Sequence, residues 1–245
     1  MDAMDCWNCP VRKHTIYRGI GEGQSGAIYQ ARREMVSFRR GQIIGHERDE
    51  HLYVYTLVSG WAYSYVFLAD GRRQILRYFH PGDLISLSEL TPDGPALSTR
   101  ALTDVEMCQF DKTRLLELLE QNRSSIRGML AYLNGRRNMA ELRMIQLGAM
   151  NAEEAIASLI LEFFNTATVR SGDEREFVFP LRLSDIAETL GITAVHAGRV
   201  IRGLEKKKAI WRKDRQHLGV DERVLRSVID GAASGFCPEP SYKGA

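Results

Sequence analysis

The chain has 245 residues, which is enough for one large domain or two modest ones. Its composition, 44% hydrophobic and 26% charged, is typical of a globular protein, and no apolar run approaches the roughly 20 residues of a bilayer-spanning helix. The first five residues are acidic in character and no apolar stretch follows them, so we expect no signal peptide and a cytoplasmic location. The net charge of +2 is too small to indicate a partner by itself.

Short strands are predicted after a mixed, basic stretch over residues 10–50, whose first part is loosened by glycines. The strands are rich in β-branched and aromatic residues and cover residues 52–58, 61–67, 74–79 and about 99–110. Turn signals separate them at Ser59-Gly60, Asp70-Gly71 and Pro81-Gly82. Regular turns between short strands predict an antiparallel sandwich or roll. The aromatic stripe of the first two strands either lines a ligand cavity or is divided between core and surface.

The pattern then changes to helix. Four leucines between residues 115 and 119 predict a short amphipathic helix that begins near residue 112. Ser124 or Ser125 caps a second helix that runs to about residue 147, on which apolar residues recur at heptad spacing, with Arg137 interrupting one row. So narrow a seam, about 36 Å long, predicts pairing with a second copy of the chain. The candidate dimer residues are Ile126, Leu130, Leu133, Ala140, Met144 and Leu147.

A hinge is predicted near residues 148–151, and a further amphipathic helix over 152–164 follows it. A polar stretch over 166–176 predicts a loop. The next residues, 177–181, predict a short strand that contains Pro180 and therefore lies at a sheet edge.

The most informative segment lies between residues 183 and 204. Ser184 caps one short helix and Thr193 caps the next. Gly191 lies between them, where a sharp turn needs a positive φ. Residues 210–220 then form a β-hairpin around a polar turn. This order predicts a winged helix-turn-helix, whose second helix fits the major groove of DNA.

A basic cluster coincides with this motif. Between residues 196 and 215, eight lysines and arginines are opposed by Glu205 and Asp214 alone. Such a cluster is typical of phosphate binding, and a solvated helix face is the alternative. The candidate DNA-binding residues are Ser184, Thr193, Ala194, Val195, His196, Arg199, Arg202, Lys206, Lys207, Arg212 and Lys213. The motif also leaves open a ligand-binding module whose winged helix contacts protein.

In its order of β-roll, dimer helix and winged helix-turn-helix, the chain resembles the Crp/Fnr family of bacterial transcription regulators. The residues that carry the resemblance are Gly41, Ser59-Gly60, the segments 70–74, 81–83 and 147–154, and the segment 193–199, which is similar to the Thr-Pro-Val-His-Val-Asn-Arg sequence of one branch. The resemblance implies an α+β fold with an N-terminal antiparallel β-roll of the cyclic-nucleotide-binding type. The implied boundaries are 1–122 for the β-roll, 123–150 for the dimerisation helix and hinge, 151–231 for the winged helix-turn-helix and 232–245 for a disordered tail.

The resemblance also implies partners. They are a second copy of the chain, a twofold double-stranded DNA operator and RNA polymerase, with no membrane partner and no enzymatic activity. An input at the β-roll would then reorient the DNA-binding domains through the dimer helix.

Two departures from the family pattern concern the ligand and the operator. Members that bind cyclic AMP hold its phosphate with an Arg-Ser pair, whose positions here are Pro95 and Ala96, so we expect no cyclic AMP binding. Relatives use a recognition-helix glutamate to accept from a cytosine amino group, where this chain has Val195, which offers only an apolar contact such as one to a thymine methyl. Arg199 matches the family arginine that reads guanine or holds a phosphate, and His196 is a further candidate contact.

The four cysteines are too few and too scattered for a disulfide framework. Oxygen-sensing relatives bind a 4Fe–4S cluster through three N-terminal cysteines and one in the β-roll, and Cys6, Cys9 and Cys108 match three of these positions. Thr15 stands at the fourth, for which the candidate substitutes are His14, Asp5 and Cys237. An iron–sulfur cluster is therefore one candidate cofactor, with Cys6, Cys9 and Cys108 as its candidate ligands.

The alternatives for the cysteines need no metal. Cys108 can be a small buried core residue, and the Cys6-Trp-Asn-Cys9 segment can be a relic or a thiol switch. A redox enzyme that uses this pair is disfavoured, because Pro10 leads into a polar segment and no helix follows to lower a thiolate pKa.

Overall fold

The computed structural model describes residues 6, 8–19, 25–45, 53–86, 97–171, 176–214 and 217–229. The predicted positions outside these residues are Asp5, Pro95, Ala96, Arg215, Cys237 and the tail over 232–245. The chain forms two compact units, one of Met1–Phe67 with Leu76–Asn134 and the other of Leu68–Ile75 with Gly135–Ala245. None of the described helices is long and apolar enough to cross a bilayer.

An antiparallel β-roll makes up most of the first unit. Its described strands are β1 (Arg32–Phe38), β2 (Ile43–Gly45), β3 (Tyr53–Ser59), β4 (Ala62–Phe67), β5 (Arg73–Phe79), β6 (Leu84–Ile85), β7 (Ser98–Ala101) and β8 (Val105–Asp111). They form two four-stranded sheets in the orders β1-β8-β3-β6 and β2-β7-β4-β5. The predicted roll is confirmed, and the single strand expected over 99–110 is divided into β7 and β8 by a turn.

The sheet β1-β8-β3-β6 buries side chains on both faces, because successive strand residues point to opposite sides. One face packs with the N-terminal segment and the nearby helices, in a core of Val11, Ile16, Tyr17, Ile28, Ala31, Val54, Val58, Leu84, Cys108, Phe110, Leu115, Leu118 and Tyr132. The other face lies inside the roll, in a core of Ile44, Tyr55, Leu57, Ala62, Phe79, Ile85, Ala101, Val105 and Met107. Cys108 therefore sits in the first of these cores, opposite Met35 and Thr56 in the strand register.

Three helices accompany the roll, namely α1 (Ser25–Ala31), α2 (Lys112–Gln121) and α3 (Arg123–Gly148). The predicted start of α2 is confirmed, and its cap is the Asp111 carboxylate, which accepts from the backbone N–H groups of Thr113 and Arg114 at 3.0 and 3.2 Å. Helix α1 was not predicted. Its seven residues span two turns, too few to show a periodic pattern.

The first residue of α3 differs from the prediction, and its last residue agrees within one position. The helix begins at Arg123, so Ser124 and Ser125 lie within its first turn instead of at the cap position, and the Asn122 carbonyl accepts from the Ser125 N–H at 2.9 Å. The N-terminal segment packs closely on this helix. A Cβ atom at Gly128 would lie 2.5 Å from the carbonyl oxygen of Ile16, so only glycine fits at this contact.

The second unit contains a bundle of helices and a small sheet. Its elements are α4 (Ala152–Ser171), β9 (Glu176–Val178), α5 (Leu183–Leu190), α6 (Ala194–Lys206), β10 (Ile210–Arg212), β11 (His217–Val220) and α7 (Glu222–Ile229). The sheet order is β10-β11-β9. The loop predicted over 166–176 is wrong in its first part, since α4 continues to Ser171 and the Thr166 hydroxyl donates to the Glu162 carbonyl at 2.8 Å, which satisfies this polar group within the helix.

A buried polar network joins the C-terminal half of α3 to α4. Arg143 donates to Gln146 Oε1 at 2.7 Å and to Glu162 Oε2 at 3.1 Å, and Gln146 donates to Ser158 Oγ at 2.9 Å. The side chains of Arg143 and Glu162 are only 9% and 11% exposed. Burial raises the pKa of Glu162 above its ordinary value, and the Arg143 guanidinium opposes this shift.

The hairpin tip Leu68–Ile75, which belongs to the second unit, contacts helix α5. Arg73 Nη2 lies 2.6 Å from Glu188 Oε2 and 4.0 Å from Asp185 Oδ1. Gln74 donates to the Thr189 carbonyl at 3.0 Å. The position of α5 is thus fixed by polar contacts from outside the helix bundle.

Candidate nucleic-acid interface and cysteine pocket

Helices α5 and α6 form the predicted helix-turn-helix. Gly191 follows α5 with a φ of 66°, and its N–H group donates to the Ala187 carbonyl. The Thr193 hydroxyl accepts from the His196 N–H at 3.1 Å, so Thr193 caps α6 as predicted. These two local features set the sharp turn between the helices, and both were visible in the sequence.

The first helix of the motif begins differently from the prediction. Ser184 is exposed within α5 and is not its cap residue. The cap position is Arg182, and the Asp185 carboxylate reaches back and accepts from the Arg182 N–H at 2.8 Å, which is one half of a capping box. Ser184 stays a candidate phosphate contact only through its exposed hydroxyl.

Helix α6 is clearly two-sided. Its buried side consists of Ala197, Gly198, Ile201 and Leu204. The predicted DNA-reading residues on the other side are all exposed, namely Thr193, Ala194, Val195, His196, Arg199, Arg202 and Lys206. Val195 is 68% exposed, which is high for an apolar side chain at the start of a helix. An exposed, basic helix that projects Val195 and Arg199 is suited to contact base edges.

The basic cluster is less charged than its local sequence indicates. Acidic residues pair with three of its members, with Lys207 Nζ at 2.7 Å from Glu153 Oε1, Arg212 Nε at 3.5 Å from Glu205 Oε1, and Lys213 bound to Glu176. The hydrogen bond from Lys213 holds the pKa of Glu176 below its ordinary value. Arg199, Arg202 and Lys206 form no ion pair with any residue that the structure describes.

Two of these acidic partners, Glu153 and Glu176, were missed in the sequence for a physical reason. Glu153 lies in α4 and Glu176 in β9, 54 and 37 residues from the lysines that they bind. Only packing of the second unit brings them together, and no local pattern signals it.

The predicted wing is confirmed as the antiparallel pair β10 and β11, with Ile210 opposite Val220 and Arg212 opposite Leu218. Asp214 organises its turn, accepting from the His217 N–H at 2.8 Å and lying 2.8 Å from the His217 ring. Arg212 and Lys213 project from this hairpin and are exposed.

One face of α3 is apolar and exposed. The exposed residues on it are Ile126, Leu130, Leu133, Ala140, Met144 and Leu147, the same set that the heptad pattern selects. Leu130 and Met144 are 62% and 64% exposed, whereas Tyr132 and Leu142 on the opposite side are buried. An apolar seam of this kind is stabilised when a second helix covers it.

The three described cysteines line one small cavity in the first unit. Cys6, Cys9 and Cys108 surround it together with Thr15 and Tyr17, and its volume is about 30 Å³. His14, a candidate substitute ligand, lies against Gly82 through its Cβ and carbonyl. The structure therefore brings together the three cysteines and the threonine of the matched positions.

These residues do not fit a 4Fe–4S cluster. A four-iron cube takes four ligands, and the described residues that line the cavity supply only three thiols. The Thr15 hydroxyl is already used, since it donates to the Arg12 carbonyl at 2.8 Å and accepts from the Tyr17 N–H at 3.1 Å. Within the described residues, no three histidine, cysteine, aspartate or glutamate side chains are grouped so that they could hold a metal ion.

The Cys108 thiol has a further contact and a shifted acidity. Its Sγ donates to Met35 Sδ at 3.2 Å. Burial raises the pKa of Cys108 to about 11, so this thiol is neutral at physiological pH. None of the three described cysteines forms a disulfide in the structure.

Comparison with known proteins gives consistent matches. A model of cyclic nucleotide-binding domains matches residues 35–122. The transcriptional activatory protein AadR of Rhodopseudomonas palustris is 28% identical over 157 residues, which cover 64% of this chain and 65% of AadR, slightly less than two thirds of its length. The transcriptional activator protein FnrL of Cereibacter sphaeroides is 24% identical over 94% of each chain. The structure of FixK2 from Bradyrhizobium japonicum matches with a TM-score of 0.70 and 26% identity, covering 80% of this chain and 96% of FixK2.

The chain shares the α+β fold of FixK2 and is similar in sequence to transcription regulators such as FnrL. Membership of the Crp/Fnr family is supported by the cyclic nucleotide-binding match and by the likeness to FnrL and FixK2. The assignment to a branch by residues 193–199 stays a prediction.

Proposed function

We propose that this chain binds a specific DNA sequence as a homodimer and regulates transcription there from the cytoplasm. The observation that carries the proposal is the exposed outer face of α6, which presents Val195, His196 and Arg199 while its other side packs into the second unit. Two such helices related by a twofold axis enter successive major grooves about 34 Å apart, so the operator is an inverted repeat.

The side chains of this surface divide into two roles. Thr193, Ala194, Val195, His196 and Arg199 lie at the exposed N-terminal end of α6 and contact base edges. The phosphate contacts come from the remaining candidates, Ser184, Arg202, Lys206, Lys207, Arg212 and Lys213. Arg202 and Lys206 dominate among them, since Lys207, Arg212 and Lys213 would have to leave their carboxylates.

The exposed apolar face of α3 serves as the dimer interface in this proposal. Its six residues fit the heptad seam of a parallel pair of helices. Pairing would remove from water Leu130 and Met144, the apolar side chains of this face with the highest exposed fractions. RNA polymerase is the further partner that a Crp/Fnr-type regulator requires.

The input is proposed to act at the β-roll or at the N-terminal cysteines. Cyclic AMP is not proposed, because Pro95 and Ala96 replace the phosphate-binding pair. A four-iron cluster is not proposed either, because the described lining of the cysteine cavity supplies three thiols and no fourth ligand.

The proposal is tested by selection of duplexes from a random-sequence pool, followed by binding assays with the selected sequence. We expect an inverted-repeat operator, and we expect Arg199→Ala to weaken its binding by about 1–3 kcal/mol, as for loss of one bidentate base contact. Arg223→Ala, which removes an exposed arginine from α7, is the matched control and should bind normally. Failure to select any duplex would favour a winged helix that contacts protein instead, and normal binding of the selected duplex by Arg199→Ala would contradict the contact assigned to Arg199.

A further inference from the structure

The cysteine cavity has properties that the DNA-binding proposal does not use. Three thiols from two separate stretches of the chain face one small, almost entirely apolar space. They supply only three of the four ligands that a four-iron cluster takes, and Thr15 at the fourth matched position offers no thiolate. The residues thus depart from the metal-binding pattern while keeping the thiols together.

The three thiols are not equivalent. Cys108 lies in the middle of a sheet, because its strand β8 pairs with β1 on one side and with β3 on the other. Its thiol donates a hydrogen bond to Met35 Sδ. Cys6 and Cys9 are only partly buried and lie outside helices and strands. Two residues separate them, a spacing at which cysteine pairs commonly form a disulfide. The reactive pair is therefore Cys6 with Cys9.

We infer that Cys6 and Cys9 form a dithiol site that a low-molecular-weight disulfide oxidises to an intramolecular disulfide. The thiolate of one cysteine attacks the small disulfide, forms a mixed disulfide and releases one small thiol. The second cysteine then attacks the mixed disulfide through its own thiolate, closes the Cys6–Cys9 bond and releases the other small thiol. Two protein thiols are oxidised and one small disulfide is reduced to two thiols, so the step needs no metal.

The site is connected to the dimer helix by direct contacts. The Cys9 carbonyl accepts from the Arg12 N–H at 3.0 Å and begins the turn that leads to Ile16. The Ile16 carbonyl in turn lies against Gly128 of α3, where there is no room for a Cβ atom. Closing a disulfide at Cys9 changes the backbone at the start of this segment, so its packing against α3 is expected to loosen.

The test uses the full chain purified without oxygen, reduced, and then exposed to oxidised glutathione. Trypsin separates the thiols cleanly, because Cys6 and Cys9 share the peptide that ends at Arg12 while Cys108 lies in the peptide that ends at Lys112. We expect the first peptide to become lighter by two hydrogen atoms and the second to stay unchanged. Cys108→Ser should react in the same way, whereas Cys6→Ser and Cys9→Ser should form no internal disulfide.

A second readout tests the connection to α3. We expect faster amide exchange over residues 123–134 in the oxidised protein and no change in the Cys6→Ser/Cys9→Ser double variant. Unchanged exchange after complete oxidation would overturn the connection.

Two results would overturn the site itself. One is a glutathione adduct that persists on a single cysteine without ring closure. The other is iron and sulfide at stoichiometric amounts in the protein purified without oxygen, with a visible absorbance that air bleaches. Both readouts are independent of DNA, so this inference can fail while the proposed operator binding stands, and the reverse also holds.

Discussion

Val195 is the residue at which this chain should differ most from its relatives in operator sequence. Its side chain is 68% exposed near the start of α6, and it can offer only an apolar contact. A glutamate at this position accepts a hydrogen bond from a cytosine amino group, whereas valine can only contact a thymine methyl. In the proposed complex, this one side chain would therefore decide between two bases.

We expect Val195→Glu to change the preferred base at one position of each half-site from thymine to cytosine. The discrimination should be about 1–3 kcal/mol for each contact. Parallel selection experiments with both proteins, followed by competition binding, measure it. Ser227→Glu places the same charge on α7, away from the recognition helix, and should leave the preference intact; an unaltered preference in Val195→Glu would contradict the assigned contact.

Arg143 is a second residue with a specific expected effect, in this case on the stability of the fold, because it pairs with the buried carboxylate of Glu162. We expect Arg143→Ala to lower the free energy of unfolding at pH 7 by about 3–5 kcal/mol, since the buried Glu162 carboxylate loses its hydrogen-bonded partner and keeps only the weaker attraction of Arg136. The pKa of Glu162 is raised in the folded chain, so the folded state holds this proton more tightly than the unfolded state. The contribution of Glu162 to the free energy of unfolding is therefore complete below the pKa that this residue has in the unfolded chain. It is lost as the pH rises through the pKa that Glu162 has in the folded chain.

Lowering the pH should therefore restore part of the loss in Arg143→Ala. Urea unfolding over a series of pH values measures this. The Arg143→Met/Glu162→Leu double variant is the control, and it should be close to normal stability with a flatter pH profile. A large, pH-independent loss in both variants would show that packing, and not charge, is responsible.

At the scale of elements, α3 illustrates how far periodicity can be used. The heptad pattern selects six residues, and all six are exposed in the structure while the opposite side of the helix is buried. The pattern was less informative about the start of the helix, which lies at Arg123, directly after Asn122 and before both of the serines expected to cap it.

We expect Leu130→Glu to convert the dimer to a monomer, because it places charges face to face across an apolar seam. Sedimentation velocity measures the change, and operator binding should be lost with it. Asn138→Glu adds the same charge at an exposed position of the same helix outside the seam and should stay dimeric. A dimeric Leu130→Glu protein would place the interface elsewhere.

The helix-turn-helix was predictable because its determinants are local. Gly191 and Thr193 act within a few residues of themselves, and the structure confirms the roles of both. Helix α1 was not predictable, because two turns give no periodic signal. The ion pairs of Lys207 and Lys213 also could not be predicted, since they join residues 54 and 37 positions apart.

The sequence grouped the cysteines only through the family resemblance, which says nothing about the size of the cavity between them.

At the scale of the whole molecule, paired charges set the response to salt. Binding constants fall with salt with a logarithmic slope of about −0.9 per phosphate contact. If only Arg202 and Lys206 of each subunit contact phosphates, we expect a slope of about −3.6 for the dimer. If Lys207, Arg212 and Lys213 also contact them, the slope would be about −9. Titration of the selected operator at several salt concentrations measures it, and a slope near the larger value would contradict the role given to the ion pairs.

Freeing Arg212 of the wing from its carboxylate partner should make the salt dependence of DNA binding steeper. Glu205→Gln removes the partner of Arg212, so we expect tighter binding at low salt and a slope steeper by about 1.8 for the dimer. Glu222→Gln removes the partner of Arg226 in α7 and is the matched control. Equal slopes for the two variants would mean that Arg212 does not approach the phosphates.

The carboxylates that hold Lys207, Arg212 and Lys213 also have a consequence for how the protein finds its targets in a genome. Attraction to arbitrary DNA comes almost wholly from phosphate charge, so a regulator with few unpaired cations dwells only briefly on the wrong sequence. Its occupancy then depends on reading bases correctly. Promoters that it controls should consequently tolerate few mismatches, and a single base change in a half-site should be enough to silence one.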